Sequence, residues 1–168
     1  MRKIVLSLLV GLSLLAVVIF FFYNKSEQHY PVATFTLLNE AETQWYNAGI
    51  QHYRIVVEVE FSTERRRHAA TVQNGQVIEA TLSYWDGKTW STPETASQDS
   101  ADDYIVPGLF TTLRGELNND IREDLRVDMH DDPAYPRYMY FGRVWLENEP
   151  MDDSLARFTV VEFEPLAP

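Results

Sequence analysis

Residues 4 to 23, IVLSLLVGLSLLAVVIFFFY, run for 20 positions without a charge and are interrupted only by Ser7, Gly11 and Ser13. As a helix rising ~1.5 Å per residue, such a block matches the ~30 Å hydrocarbon core of a bilayer. It exceeds the ~7–15 residue apolar core of a cleavable signal peptide. The bulky run Phe20, Phe21, Phe22, Tyr23 leaves no small-residue pair for a signal peptidase, and Tyr23 suits the far interface. With no cysteine in the chain, a lipid anchor on cysteine is excluded. The run therefore predicts a retained transmembrane signal-anchor over residues 1–24, a short polar stalk over 25–37 and an extracytoplasmic domain over 38–168. Arg2 and Lys3 precede the span, so the expected topology is single-pass in the cell membrane with a cytoplasmic N-terminus. The lipid bilayer is the first expected partner.

Charge narrows the other partners. Without Arg2 and Lys3, 12 of the 14 basic residues remain against all 25 acidic ones, a formal balance of −13. Such a chain repels nucleic acid and anionic surfaces, so no nucleic-acid partner is expected. The absence of cysteine also excludes a disulfide framework, leaving the domain to be held by its apolar core.

Along that domain, Asn39 with Glu42 three positions later resembles a capping box, which predicts a helix over Glu40–Ala48 ended by Gly49, with Trp45 toward the core. Tyr53, Ile55, Val57, Val59 and Phe61 alternate and predict a half-buried strand. Asn74-Gly75 and Asp86-Gly87 are hairpin signals, and strands are expected around both. Ser91 to Asp103 reads as an exposed loop, and "ERRRH" at Glu64–His68 as a solvated loop between strands. Pro107 with Leu109, Leu113 and Leu117 predicts a second helix. Alternating runs from Leu125 and from Arg137 to Leu146 predict two strands, with "DDPAYP" as the turn between them, and Leu155–Phe163 predicts the last. The expected fold class is α+β: after the transmembrane helix, one small domain with two helices packed on one face of an antiparallel sheet.

The order of several motifs resembles a family of small bacterial exported proteins and lipoproteins of unknown function. These are WYNAGIQHY at Trp45–Tyr53, then VQNGQVIEA, GLFTTL, DDPAYPRYMYF and DDSLARFTVVEF. Many members of that family carry a Cys-x-Cys pair and a lipidated cysteine, and this chain has neither. The resemblance implies an extracytoplasmic α+β domain and assigns no activity.

The residues themselves suggest few chemistries. There is no G-x-S-x-G elbow, no S-x-x-K and no phosphate-loop glycine spacing, so neither the common nucleophile-based hydrolysis nor a cofactor is expected. His29, His52, His68 and His130 have no metal-ligand spacing. The aspartate pairs Asp131-Asp132 and Asp152-Asp153 offer oxygen ligands for a weak calcium site if the two loops meet. Tyr84, Trp85 and Trp90 surround the Asp86-Gly87 turn and offer rings for stacking on a sugar, against the simpler reading of a cross-strand pair packing the hairpin. Tyr135, Tyr138, Tyr140, Phe141 and Trp145 alternate on one strand and must divide between the sheet faces, so Tyr138 and Tyr140 are candidates for an exposed aromatic surface on the helix-free side. These features predict a non-enzymatic, membrane-anchored module that contacts an envelope protein through the open sheet face. The alternative is an envelope polysaccharide-binding module, and a third reading is a glycan hydrolase built on paired carboxylates.

Overall fold

Tyr53, Ile55, Val57 and Val59 are wholly or almost wholly buried on one side of strand β1 (Tyr53–Phe61), and everything else is built around that row. In the computed structural model, which describes residues 27–119, 124–146, 149–150 and 154–167, the chain divides into two units. In the first, Met1–Pro31, the described part is a single 3-10 turn at Glu27–His29. The second, Val32–Pro168, holds the sheet.

After β1 come β2 (Arg65–Gln73), β3 (Gln76–Tyr84), β4 (Glu94–Thr95), β5 (Leu125–Asp131) and β6 (Ala134–Phe141). A small ribbon of β7 (Trp145–Leu146) and β8 (Glu149–Pro150) then precedes β9 (Ala156–Pro165). Seven strands form one antiparallel sheet in the order β4-β3-β2-β1-β9-β6-β5. The first and last long strands therefore lie side by side in its middle. Asn74 and Gly75, both at positive φ, close the β2–β3 hairpin as the sequence predicts.

Among the described residues three α-helices accompany the sheet: α1 (Phe35–Ala48), α2 (Gln98–Ala101) and α3 (Val106–Leu117). Leu38, Ala41 and Trp45 of α1 and Val106, Leu109, Phe110 and Leu113 of α3 join the buried row of β1 in one core. Trp45 meets Tyr53 and Phe163 edge-on at 5.5 and 5.8 Å between ring centroids. α1 begins earlier than its capping-box signature suggests, because Thr34 is the cap and accepts a hydrogen bond from Leu37 N at 3.2 Å. Asn39 and Glu42 serve another purpose: both accept from the Arg114 guanidinium and tie α1 to α3.

Several expectations are corrected. Among the described residues no helix is long and apolar enough to cross a membrane. The longest, α1, has 14 residues, about 21 Å at ~1.5 Å each against a ~30 Å core, and one flank of it is polar. The expected span at 4–23 lies outside the described residues. Among the described residues the fold is thus one seven-stranded antiparallel sheet with the small β7–β8 ribbon and three α-helices, and neither the N-terminal transmembrane helix of the expected fold class nor the single-pass membrane localisation is supported. The expected exposed loop at Ser91–Asp103 contains β4, α2 and a 3-10 turn at Asp102–Tyr104. "ERRRH" is mostly strand, because Ser62 to Glu64 make the β1–β2 turn and Arg65 to His68 pair with Glu60 to Val57. Pro136 lies inside β6 rather than in a turn, and is tolerated there because β9 pairs only with Tyr138–Phe141.

Two local features make testable demands. A methyl group on Gly108 would sit 2.0 Å from the Asp102 carbonyl oxygen and 2.7 Å from the Asp103 carbonyl carbon, so only glycine lets α3 pack against the 3-10 turn. Gly108→Ala is expected to cost about 2–3 kcal/mol in urea unfolding. On the same side of the sheet, His68 is buried, stacked on Tyr104 at 3.5 Å, and its Nε2 has no hydrogen-bond partner among the described residues. Burial, and secondarily the Arg66 charge, push its imidazole from 6.5 down to about 4. The folded protein keeps this ring neutral, so its contribution is complete above pH 6.5 and is lost as the pH falls toward 4, on the order of 3 kcal/mol. His68→Phe, which retains a ring against Tyr104, should flatten the fall of stability in that interval when unfolding is followed from pH 7 to pH 4.

Candidate functional site

The polar side of β1 defines the helix-free face. Arg54, Val56, Glu58 and Glu60 alternate with the core row, and register sets them beside Thr71, Ala69, Arg67 and Arg65 of β2. Across β9 they meet Glu164, Glu162, Thr159 and Arg157. The result is a woven charge pattern: Arg54 pairs with Glu162 at 2.9 Å and Glu60 with Arg157 at 3.3 Å.

Glu58 is the centre of this pattern. It is 8 % exposed, and its two carboxylate oxygens are divided between two guanidiniums. Arg67 Nε donates to Oε1 at 3.1 Å, joined by Arg67 Nη2, while Arg65 donates to Oε2. Burial alone would raise this carboxyl, but the Arg67 and Arg65 hydrogen bonds and charges outweigh it and hold the group below its ordinary value of 4.5.

Those same guanidiniums carry the two tryptophans. Arg67 Cζ lies 4.2 Å from the Trp90 ring centroid, and Arg65 Cζ lies 5.4 Å from Trp90 and 5.8 Å from Trp85. Trp85 and Trp90 form an antiparallel bridge with rings 5.3 Å apart at 58°. Asp86 shapes the turn between them by accepting from Lys88 N and Thr89 N, both at 2.8 Å, and these bonds hold its carboxyl low. The 85–93 loop thereby rises over the helix-free face and makes a wall.

Beneath that wall is a groove of about 470 Å³, with Val56, Ala69, Thr81 and Ser83 among its lining, Trp90 and Pro93 along one side, and Arg54, Val161 and Glu162 on the other. A second depression of about 330 Å³ adds Thr71 and Glu79. Val161 reaches the groove because it is the extra residue of a bulge, between the partners of Val56 and Val57, and is turned out of the regular alternation.

The candidate residues from the sequence divide accordingly. Trp85 and Trp90 come together, both half-buried, and Tyr84 does not join them: it is 42 % exposed and shares a side with Arg66 and His68, whose guanidinium lies 6.0 Å from it in the case of Arg66. Tyr138 and Tyr140 are on the helix-free face, opposite Thr159 and Arg157, but three strands from β2, about 14 Å at ~4.8 Å per strand. Arg157 covers Tyr140 at 5.5 Å, and both Tyr138 and Tyr140 are only partly exposed, so they form no bare aromatic surface. Tyr135 and Phe141 are buried in the core. Asp131 ends β5 and Asp132 follows in the turn, both exposed, while Asp152 and Asp153 lie outside the described residues. Among the described residues no group of three metal-ligating side chains is gathered.

Glu58, Arg54, Ser83 and Glu162 were not singled out from sequence, and Arg67 entered only as a member of the "ERRRH" cluster. One signal was available: Glu58 and Glu60 before a short turn, Arg65 and Arg67 after it, each spaced by two, as a hairpin with complementary charges on one face requires. The turn Ser-Thr-Glu contains neither glycine nor asparagine, so the hairpin carried no turn signature. No protein-family model matches the chain, and no curated protein matches it.

Replacing Glu58 tests the arrangement. Its contribution is present above its ordinary titration range and is lost as the pH falls through the depressed folded value. Glu58→Gln should lower the unfolding free energy at pH 7 by about 1–3 kcal/mol, a modest figure because both guanidiniums reach solvent. The difference from the unaltered protein should shrink below pH 4.5, and the loss of the fixed Arg67 platform should shift the tryptophan fluorescence.

Proposed function

We propose that this protein is a non-catalytic binding module whose groove on the helix-free face takes a neutral, hydroxyl-rich ligand, a glycan. The observation that carries the reading is the groove itself: an aromatic wall at Trp90 facing a floor of small and hydroxyl side chains, Ala69, Thr81 and Ser83. Sugar rings present apolar C–H faces that pack on an indole, and edges of hydroxyls that exchange hydrogen bonds with such a floor.

Charge supports an uncharged ligand. Arg54 and Arg67, the cations of the groove, are each already matched by a carboxylate, Glu162 and Glu58. An anionic chain would have to displace these partners while approaching a protein of net charge −11.

The two other readings have less support. Contact with a protein partner calls for a contiguous apolar patch, whereas the large apolar side chains among the described residues that stand exposed are dispersed over Val32, Phe35, Tyr46, Ile78, Tyr84 and Val161. A hydrolase calls for a carboxyl group held protonated near neutrality, whereas Glu58 is held in the opposite direction and Glu162 is bound to Arg54.

The test is a binding panel with the full-length chain: the hexasaccharides of the cello, chito, xylo and laminari series, an oligogalacturonate, and reduced carboxymethylated lactalbumin as an extended peptide. At least one neutral hexasaccharide should bind, and Trp90→Ala should weaken it tenfold or more, about 1.4 kcal/mol, with thermal melting unchanged within a few degrees. Binding of no glycan, or of the peptide or the oligogalacturonate alone, overturns the proposal.

A further inference from the structure

Resting on that reading of the groove, we infer that the ligand is an oligomer laid lengthwise along β2, with Trp85 as a second stacking position, rather than a single sugar or a chain end. The two depressions described above share Arg54, Ala69 and Thr81, and so are continuous. Their lining follows the outward side chains of β2 in sequence: Thr71, then Ala69, then Arg67. From Thr71 to Arg65 this row spans six residue steps of antiparallel strand, about 20 Å at ~3.4 Å each, a length that one sugar ring does not fill.

The row does not stop at Trp90. Beyond it, Trp85 and Arg65 border a third depression of about 460 Å³ with Glu60, Thr63 and the Asp86-Gly87 turn. Trp90 lines the depression on one side and Trp85 that on the other, their rings 5.3 Å apart. Both rings rest on guanidiniums that Glu58 immobilises, so both are held in position before any ligand arrives. The groove and this third depression share no lining residue and adjoin only across the Trp85–Trp90 pair, so the two fixed rings suit two units of a chain that crosses from one to the other, and preorganisation reduces the entropy that binding must overcome. The Glu79 side of the groove and the Glu60 side of the third depression are both bordered by exposed side chains, an arrangement suited to the interior of a polymer rather than to a chain end.

Chain-length dependence separates this inference from the one beneath it. The full-length protein is titrated calorimetrically with the cello, chito, xylo and laminari series, each from two to six units. For the series that binds, affinity should rise at least tenfold between the dimer and the hexamer. Trp85→Ala should bring the hexamer-to-dimer ratio down toward one, and Trp85→Phe, which keeps a ring, should restore most of it. The length dependence of the unaltered protein needs no variant, so a poorly folded Trp85→Ala leaves the question decidable. Equal affinity for dimer and hexamer, with Trp90→Ala still abolishing binding, overturns the extended track and leaves the groove reading standing. Failure of every series at every length overturns both.

Discussion

The carboxylate of Glu58, shared between Arg65 and Arg67, is the interaction on which the helix-free face depends. A carboxylate so withdrawn from water is costly unless its oxygens are paired, and here two guanidiniums meet both of them. The consequence extends beyond the hairpin that these residues join. Because the guanidiniums cannot swing away, they present flat cationic surfaces on which Trp85 and Trp90 lie, and the loop bearing those rings is held above the sheet. Without that support the groove would have a floor and no wall.

The two sides of the sheet answer different physical requirements. One is covered by α1 and α3 and filled with aliphatic and aromatic side chains, from Val57 and Val59 to Phe110 and Met139, all wholly buried. The other has no helix, and keeps its strands in water by alternating charge: Arg54 with Glu162, Glu60 with Arg157, Asp128 with Arg137. Individually such exposed pairs contribute little to stability. Collectively they keep an open sheet face polar and leave small side chains between them as the floor of a groove. The outer edge of β3 is closed by similar economy: Ala96 N bonds to Ala80 O, Gln98 Nε2 to Val77 O, and Ser91 N to Tyr84 O, which takes away a ready template for another strand.

Much of the core could be read directly. The period-two row of β1, the Asn74-Gly75 hairpin and the apolar stripe of α3 are local signals, and each places its residues where the structure has them. The misreadings have a common origin. "ERRRH" looks like a solvated loop because three adjacent cations satisfy no periodicity of their own; they lie in a strand where Glu58 takes Arg65 and Arg67 and Glu64 takes Arg66. Asn39 and Glu42 have the spacing of a capping box, but Thr34 caps the helix five residues before Asn39, and Arg114, 72 residues after Glu42, claims both side chains. The aromatic strand Tyr138–Phe141 was legible as alternating but not as covered, since Arg157 comes from β9.

By itself the sequence determined the local alphabet: which stretches are strands with one apolar side, where two tight turns fall, that the chain is acidic, that it carries no cysteine, and that Trp85 and Trp90 flank one turn. Those properties depend on residues within a few positions of each other, through backbone preference and side-chain alternation. Only the tertiary structure decided that β1 and β9 adjoin at the centre, that Trp85 and Trp90 rise over the helix-free face while Tyr84 turns to the other, and that Arg54, Ser83 and Glu162 line one groove. Such neighbours are more than a hundred residues apart in the chain in the case of Arg54 and Glu162, and strand register, fixed by burial of the apolar row and by bulges that shift it by one residue, is what brings them together.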